Sequence, residues 1–444
     1  MTDTRRPPTR ALAKLTRPFV AFLRTTASSG GLLLLATATA LAWANSAHAP
    51  SYERLLSLPI AVGLGGLSAT FSARALVDDG LMSLFFLLVG LEIKRELVKG
   101  ELASVRRATL PAVAAVGGML APAVVYLAFN AGRPTVGGWG TPTATDIAFS
   151  LSCARLAAGR IPSSVIVLLT ALAIFDDLGA IVIIALFYGK GVTLASLMPV
   201  AIACAGLAAL NRANVRNPYV YLLVGAALWW ALHAAGIHPS LAGVALGAAI
   251  PAAADRHANE VLAEVASDIA RLDAPTDGER DAAVQAVERH LESIQSPLDR
   301  IEHGISPWVS FGIVPAFALV NAGVDLGALG LADVLSPVTL GVALGLLVGK
   351  PIGIFAATYA AVRLGLSPMP RGATWAQVVA VASLAGMGFT MSLFIGQLAF
   401  AAGADLSRAK AGILAGSLLS ACVGLGVAFA LSPRSLVEEP NGDA

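Results

Sequence analysis

The sequence predicts an all-α polytopic membrane protein with about twelve transmembrane helices. Only 13% of its 444 residues are charged, whereas about 25% is typical of soluble domains. Apolar runs long enough to cross a bilayer recur along the chain, and a membrane interior requires the backbone to satisfy its hydrogen bonds within helices. Basic residues also concentrate in alternate connecting segments, which is the pattern of a chain that crosses a membrane repeatedly.

The apolar runs give the positions of the expected spans. Most are close to the roughly 17–25 residues that a helix needs to cross a bilayer. The spans are expected at 30–47, 76–95, 108–130, 143–158, 163–187, 192–210, 218–235, 239–254, 305–322, 335–361, 375–400 and 408–432. Helices I–VIII therefore occupy 30–254, and helices IX–XII occupy 304–432.

The basic residues also predict the orientation of the chain. With the N-terminus inside, most arginines and lysines fall on the cytoplasmic side, as the positive-inside rule requires. Residues 1–29 then form a basic cytoplasmic arm, 255–303 an acidic cytoplasmic linker and 433–444 a cytoplasmic tail. The first apolar run, followed by Ala47-His48-Ala49, resembles a signal peptide, but its length favours a retained first helix.

Two further segments have simple structural interpretations. In the first outside loop, 51–75, a Gly65-Gly66 pair separates two short apolar runs, which indicates a β-hairpin at 60–73. The three cysteines, Cys153, Cys204 and Cys422, lie in apolar spans, and their number and spacing fit neither disulfides nor a metal site. We interpret them as small core residues.

Four charges remain after every other ionisable residue has been assigned to a tail, a loop or a helix end. They are Asp146, Asp176, Asp177 and Lys350. In this assignment Arg408 and Lys410 belong to an outside segment. Ionisable groups within a membrane are costly, and they usually mark a path for an ion or a proton.

Asp176 and Asp177 lie near the middle of the 163–187 span. Adjacent residues of a helix point about 100° apart, so the two carboxylates must face different surroundings. Two neighbouring buried acids titrate as a coupled unit. A carboxylate that can exchange its proton for a hard cation suits cation/proton exchange, because such cations prefer oxygen ligands.

Two apolar segments are interrupted by polar residues, glycine or proline. One contains Pro142 and three threonines before Asp146, and the other contains Gly386, Gly388 and Thr390. Paired interrupted segments are typical of a transporter site between inverted repeats. Asp146 can compensate two positive helix N-termini. Lys350 can either compensate two negative C-termini or form a salt bridge with Asp176 or Asp177.

Five motifs stand out along the chain: FFLLVGLEIKREL at 85–97, ATDIAF at 144–149, ALAIFDDLGAI at 171–181, GKPIG at 349–353 and GFTMS at 388–392. Together they resemble the motifs of NhaA-type sodium/proton antiporters. The resemblance extends from about 30 to 432. It implies inverted repeats, like those of the NhaA fold, and two crossed discontinuous helices near 143–158 and 375–400.

The resemblance also implies roles for individual residues. Asp176 and Asp177 would bind the transported sodium ion or the proton, with Thr145, Asp146 and Lys350 supporting the site. The positions that the family associates with pH sensing correspond to Glu92, Glu96, His238, Glu302 and His303. For Glu92 and Glu96, ordinary ion pairs with Lys94 and Arg95 are an equal alternative, and His238 could be an ordinary loop histidine.

By this resemblance the protein is a secondary transporter of a bacterial inner membrane, not an enzyme. It would exchange cytoplasmic Na⁺ or Li⁺ for external H⁺ under pH regulation, need no cofactor or nucleic acid, and form a homodimer through the 60–73 hairpin. Three aspartates and one lysine sum to −2, so one Na⁺ leaves −1 and two protons leave 0. Exchange of two protons for one Na⁺ would therefore be electrogenic.

The linker departs from the family pattern, because at 255–303 it is longer and more acidic than expected. It is either a solvated connection between the two halves or a regulatory helix pair.

Two other functions also remain to be weighed. An intramembrane aspartyl protease would need a Gly-x-Gly-Asp sequence, which is missing here. A channel usually has a repeated filter or charged rings, whereas a symporter needs a substrate pocket that sequence does not reveal.

Overall fold

The computed structural model describes residues 26–64, 67–157, 159–189, 193–252, 261, 265, 284, 286, 287 and 296–432. Most of the expected N-terminal arm, most of the acidic linker and the whole of the tail lie outside these residues. Within the described part the chain is mostly helical, which agrees with the predicted fold class.

The longer helices are named here in chain order. They are α1 (Thr26–Ala44), α2 (Ala49–Ser57), α3 (Met82–Lys99), α4 (Val105–Asn130), α5 (Ile147–Leu156), α6 (Ser163–Phe187), α7 (Leu194–Arg212), α8 (Pro218–Ala234), α9 (Leu241–Ala249), α10 (Pro297–Trp308), α11 (Val314–Asn321), α12 (Leu331–Val334), α13 (Pro337–Leu344), α14 (Lys350–Arg363), α15 (Trp375–Ala385), α16 (Phe389–Ala399) and α17 (Ala404–Ala430). Short π-helical turns at Leu76–Leu81, Val309–Ile313 and Gly345–Gly349 precede α3, α11 and α14.

Within the described residues, six helical segments are long and apolar enough to cross a membrane, or eight if each of two bent pairs counts as one span. The remaining expected spans coincide with shorter or more polar helices, among them Ile147–Leu156 and Pro218–Ala234. A multi-pass membrane protein is therefore supported, while the number twelve stays a prediction.

The predicted β-hairpin is present. Its strands are β1 (Pro59–Leu64) and β2 (Leu67–Ser72), which pair antiparallel with Pro59 opposite Ser72 and Leu64 opposite Leu67. The two glycines of the turn lie outside the described residues. Within the described residues, β1 and β2 form a two-stranded sheet.

The chain divides into two compact units. The first comprises Met1–Asp78, Ser104–Tyr188 and Ser310–Ala444. In it α4 packs closely on α14, where Gly117 and Gly353 face each other so tightly that a Cβ on either would collide with the backbone carbonyl of the other. Helices α15 and α13 pack on α17.

Two interrupted segments lie in this first unit. A ten-residue 3-10 helix, Pro134–Thr143, gives way to extended backbone and then to α5. Helices α15 and α16 are separated by Gly386–Gly388 and bend by 45°. The Asp146 N–H donates to the carbonyl oxygen of Met387 at 2.6 Å, so the two interruptions are in direct contact.

The second unit comprises Asp79–Ala103 and Gly189–Val309. Its core lies between α3, α7, α8 and α9 and includes Leu91, Tyr221 and Leu246. Helices α3 and α9 approach closely because Gly90 and Gly243 carry no side chain where they meet the partner backbone.

Among the few described residues in the middle of the linker, two are buried. Val261 and Val265 are helical and buried. At its ends, the Leu298 N–H donates to the Pro251 carbonyl oxygen at 3.2 Å. The residues that flank the segment on either side are therefore in direct contact.

Candidate functional site

Helix α6 carries the central pair of carboxylates. Asp176 and Asp177 are buried, with 0% and 2% of their surfaces exposed. The helix around them is apolar, and burial of an ionised carboxylate is costly unless other groups compensate it. The identity of the groups that face the pair therefore decides what the site can do.

Lys350 is one of those groups, and its ammonium contacts two partners. It forms an ion pair with Asp176 Oδ2 at 2.9 Å and donates to the carbonyl oxygen of Thr143. Thr143 is the last residue of the 3-10 helix, so Lys350 compensates a helix C-terminus as well as a carboxylate. The ion pair considered from the sequence is therefore present, together with a contact to one helix C-terminus instead of the two expected.

The hydroxyl of Thr145 is a second partner of Asp176. Its Oγ1 lies 2.5 Å from Asp176 Oδ2 and 3.0 Å from the carbonyl oxygen of Ala385 at the end of α15. A threonine hydroxyl has a single proton, so it can donate to only one of these acceptors at a time. Thr145 thus connects Asp176 to the second interrupted helix.

Asp146 joins the N-terminal ends of two helices. Its Oδ1 accepts from the Phe149 N–H of α5 at 3.1 Å. Its Oδ2 accepts from the Thr390 N–H of α16 at 3.0 Å and from the Thr390 hydroxyl at 2.5 Å. A carboxylate placed at two helix N-termini satisfies unpaired N–H groups and compensates both helix dipoles.

We predict that Asp146→Ala lowers the free energy of unfolding by about 2–5 kcal/mol, because it leaves buried N–H groups of two helices without acceptors. Asp146→Asn, which keeps one acceptor oxygen, should lose less. Thermal unfolding of the purified protein in detergent measures both changes. Equal stability of Asp146→Ala and wild type would show that the double cap does not stabilise the fold.

The arrangement is chemically suited to a small hard cation. Asp176 Oδ1 is buried and has no hydrogen-bond partner within the described chain. A Cβ on Gly118 of α4 would lie 4.0 Å from that oxygen. Carboxylate, hydroxyl and carbonyl oxygens are the ligands that hard cations prefer, and all three types meet beside Asp176.

The candidates for pH sensing lie in the second unit. Glu302 is buried and accepts from Arg95, which also lies 3.5 Å from Glu96. One turn further along α3, Lys99 Nζ lies 2.9 Å from Asp299 Oδ2. The structure thus brings Glu96 and Glu302 together through Arg95, next to Glu92 on the same helix.

The two histidine candidates differ in environment. His303 is exposed, and its Nδ1 lies 2.6 Å from the Asp299 carbonyl oxygen. His238, in the loop before α9, contacts Ser240 Oγ at 2.7 Å and Asp79 Oδ1 at 3.5 Å. Burial, with a smaller contribution from His233, lowers the pKa of His238 to about 4. In this conformation the imidazole is therefore neutral at physiological pH.

This pKa gives a prediction for stability. Because the folded-state pKa lies below the unfolded value, the unfolded chain binds the proton better, and stability falls as the pH drops from about 6.5 to 4, by up to about 3 kcal/mol. His238→Gln should remove that part of the acid destabilisation. Melting temperatures between pH 4 and 8, compared with the exposed-residue control His48→Gln, measure it. Identical pH dependence in all three proteins would contradict the assignment.

The burial of one charged residue was not expected from the sequence. Lys410 was counted with an outside segment, but it lies in α17, which begins at Ala404, and has 7% of its surface exposed. Nearby, Asn321 donates to Asp78 at 2.6 Å. Apolar residues at helical spacing continue across 404–412, past Arg408 and Lys410. This spacing is the signal that would have placed the start of the helix before Arg408.

Comparison with known proteins places the chain in a family. The sequence profile described as Na⁺/H⁺ antiporter 1 matches residues 20–428. A protein of Anaeromyxobacter sp. (strain Fw109-5) named Na(+)/H(+) antiporter NhaA is 48% identical over 99% of this chain and 96% of its own length. Na(+)/H(+) antiporter NhaA 1 of Myxococcus xanthus (strain DK1622) is 47% identical over 94% of each chain.

The match covers nearly the whole chain and includes both interrupted segments, the paired aspartates of α6 and the lysine that contacts Asp176. Proteins of this family are named as antiporters, which are secondary transporters rather than enzymes. The chain belongs to the NhaA-type Na⁺/H⁺ antiporter family.

Proposed function

We propose that the protein exchanges cytoplasmic Na⁺, or Li⁺, for external H⁺ at a site formed by Asp176 and Asp177. The observation that carries the proposal is the polar cluster in the first unit. There Lys350 and Thr145 both contact Asp176 Oδ2, while Asp177 follows directly in the same buried helix. The family membership supports the choice of sodium and proton as the exchanged ions.

The contacts favour different roles for the two aspartates. Asp176 is compensated by the ammonium of Lys350 at 2.9 Å and by the hydroxyl of Thr145 at 2.5 Å. A cation that binds there must compete with Lys350 for the same carboxylate. Asp177 is therefore the more direct ligand of the ion, and Asp176 with Lys350 balances the charge of the site.

Reconstitution into proteoliposomes tests the exchange. With an inward sodium gradient and a pH-sensitive dye inside, wild-type protein should export protons when Na⁺ or Li⁺ is added outside. K⁺ at equal ionic strength is the control, because it distinguishes exchange from a change of surface potential. Absence of sodium-dependent proton movement in correctly folded protein would refute the proposal.

We also propose that the exchange is electrogenic. Two protons replacing one Na⁺ move a net charge, as the balance of three aspartates and one lysine allows. When one Na⁺ enters and two protons leave, net positive charge moves outward, so an interior-negative potential set with valinomycin should slow exchange and an interior-positive potential should accelerate it. Equal rates at all imposed potentials would establish electroneutral exchange instead.

Regulation by pH is proposed for the cluster around Arg95. Its carboxylates, Glu92, Glu96 and Glu302, and the neighbouring His303 lie close together in the second unit, and a charge change there would alter the contact with Arg95. His238 is a weaker candidate, because its pKa is lowered to about 4. Its imidazole can gain a proton near neutral pH only if its surroundings change. Glu302→Gln should shift the pH of half-maximal exchange if the cluster is the sensor.

The remaining features of the proposal concern the membrane arrangement. We propose twelve spans in two inverted repeats, with the discontinuous segments crossing at Asp146, in a bacterial inner membrane with both termini cytoplasmic. The contact between Asp146 and Thr390 supports the crossing. The β1–β2 hairpin would form a homodimer contact. Labelling of single cysteines at the termini from one side of the membrane tests the orientation, and deletion of 60–71 tests the dimer.

A further inference from the structure

Three buried hydroxyls in the first unit have no hydrogen-bond partner in the part of the chain that the structure describes. They belong to Thr141, Ser392 and Ser417, with exposures of 0%, 0% and 6%. Buried hydroxyls are hydrogen-bonded in the large majority of cases. Three exceptions on neighbouring elements therefore require a common explanation.

The three residues lie on elements that pack against one another. Thr141 belongs to the 3-10 helix, Ser392 to α16 and Ser417 to α17, and each pair of these elements is in contact. A Cβ on Gly396 would lie 3.6 Å from Thr141 Cγ2, 4.0 Å from Thr141 Oγ1 and 3.6 Å from Ile413 Cδ1. At the level of Gly396, α16 therefore contacts both the 3-10 helix and α17.

The contact at Gly396 places Ser392 and Ser417 at the same level along the two helices. Helices α16 and α17 follow each other in the chain and run in opposite directions. Residues four apart lie on the same face of a helix. One turn inward from Gly396 is Ser392, and one turn inward from Ile413 is Ser417. The serines therefore lie at one level of the junction, with Thr141 about one turn away.

The inner end of this group adjoins the aspartate cluster. Ser392 Oγ lies against Gly388, whose Cβ, if present, would be 2.8 Å from the Ala144 carbonyl oxygen. Two residues before Ser392, Thr390 donates to Asp146. Two residues after Thr141, Thr143 accepts from Lys350. Polar groups thus continue from the site as far as the junction of the 3-10 helix, α16 and α17 near Gly396.

We propose that Thr141, Ser392 and Ser417 bind internal water beside the aspartate cluster, and that protons reach the cluster through this water. Internal water typically bonds two to four polar groups, which the three hydroxyls can supply. Each water accepts one proton and passes one proton on, so the transfers balance and no group is oxidised or reduced. The proton-conducting part rests on the proposed exchange, whereas the water site does not.

Millisecond X-ray radiolysis tests the water directly, because it labels buried side chains that lie next to bound water. Ile413 is the reporter and Ile184 of α6 the matched control, with exposures of 0% and 1%. We expect label on Ile413 to exceed that on Ile184 at least severalfold, and to fall to the same level in Thr141→Val/Ser392→Ala. Equal labelling of the two isoleucines in wild type would overturn the water site.

Transport and stability provide the second test. The double variant should lose at least about half of the proton-driven exchange rate, while ²²Na⁺ binding remains unchanged. Thr358→Val is the control, because its buried hydroxyl bonds the Ile354 carbonyl oxygen within α14 at 2.7 Å. If the hydroxyls are dry, their removal should raise the melting temperature and leave exchange intact, which would overturn the proposal. Absence of exchange in wild type would refute the antiporter function alone, since the labelling does not depend on it.

Discussion

Asp177→Asn is expected to abolish sodium-driven proton movement in proteoliposomes and to weaken sodium binding at least about tenfold. A charge-assisted contact contributes about 1.5–3 kcal/mol, and 1.4 kcal/mol corresponds to a factor of ten in affinity. The amide also has no carboxyl proton to exchange. Because asparagine is nearly isosteric, the packing of α6 should be preserved. Exchange is measured with a pH-sensitive dye, and binding with ²²Na⁺.

Asp325→Asn is the matched control for this experiment, because Asp325 is exposed in the loop after α11. It removes the same charge from the surface and should leave both measurements unchanged. Wild-type exchange in Asp177→Asn would contradict the site. Loss of binding in Asp325→Asn as well would show that the net charge of the protein, and not the position of Asp177, determines affinity.

Lys350→Met should destabilise the protein by about 3–5 kcal/mol, because removing one partner of a buried ion pair leaves an uncompensated charge. The partner here is Asp176, and both side chains are fully buried. The Thr143 carbonyl oxygen loses a donor at the same time. Thermal or denaturant-induced unfolding in detergent provides the measurement.

A double-mutant cycle separates the two losses. Asp176→Asn/Lys350→Met removes both charges, and such pairs can often be replaced by neutral residues without a net loss of stability. The double variant should therefore be more stable than Lys350→Met alone. If the two single effects simply add, the ion pair between Lys350 and Asp176 does not contribute to stability.

The sequence allowed much of the site to be predicted, because charges within apolar runs are rare and conspicuous. The expected role of Asp146 at two helix N-termini agrees with its contacts to Phe149 and Thr390. For Lys350 two roles were open, and it forms the ion pair with Asp176 while contacting one helix C-terminus, at Thr143, instead of two. Sequence reasoning had no means of choosing, because the choice depends on how α14 is turned toward the 3-10 helix.

Other features could not be predicted for identifiable reasons. A π-helical turn such as Gly345–Gly349 changes the helical repeat over five residues, which is too short to alter the apolar pattern. The burial of Lys410 was not expected, because a charge at the start of an apolar span is normally solvated. In the linker, the burial of Val261 and Val265 depends on tertiary contacts that its acidic composition conceals. The β-hairpin was predictable, because Gly-Gly between apolar runs is a local signal.

The double contact of Asp146 also has a consequence for the synthesis of the protein. Its second partner, Thr390, is translated 244 residues later. At about 5–20 residues per second, the ribosome needs roughly 12–50 s to reach it. During that interval the nascent first half must remain in the membrane with Asp146 bound at only one of its two helix ends. A nascent chain stalled before Thr390 should therefore be a preferred substrate of membrane insertases and quality-control proteases.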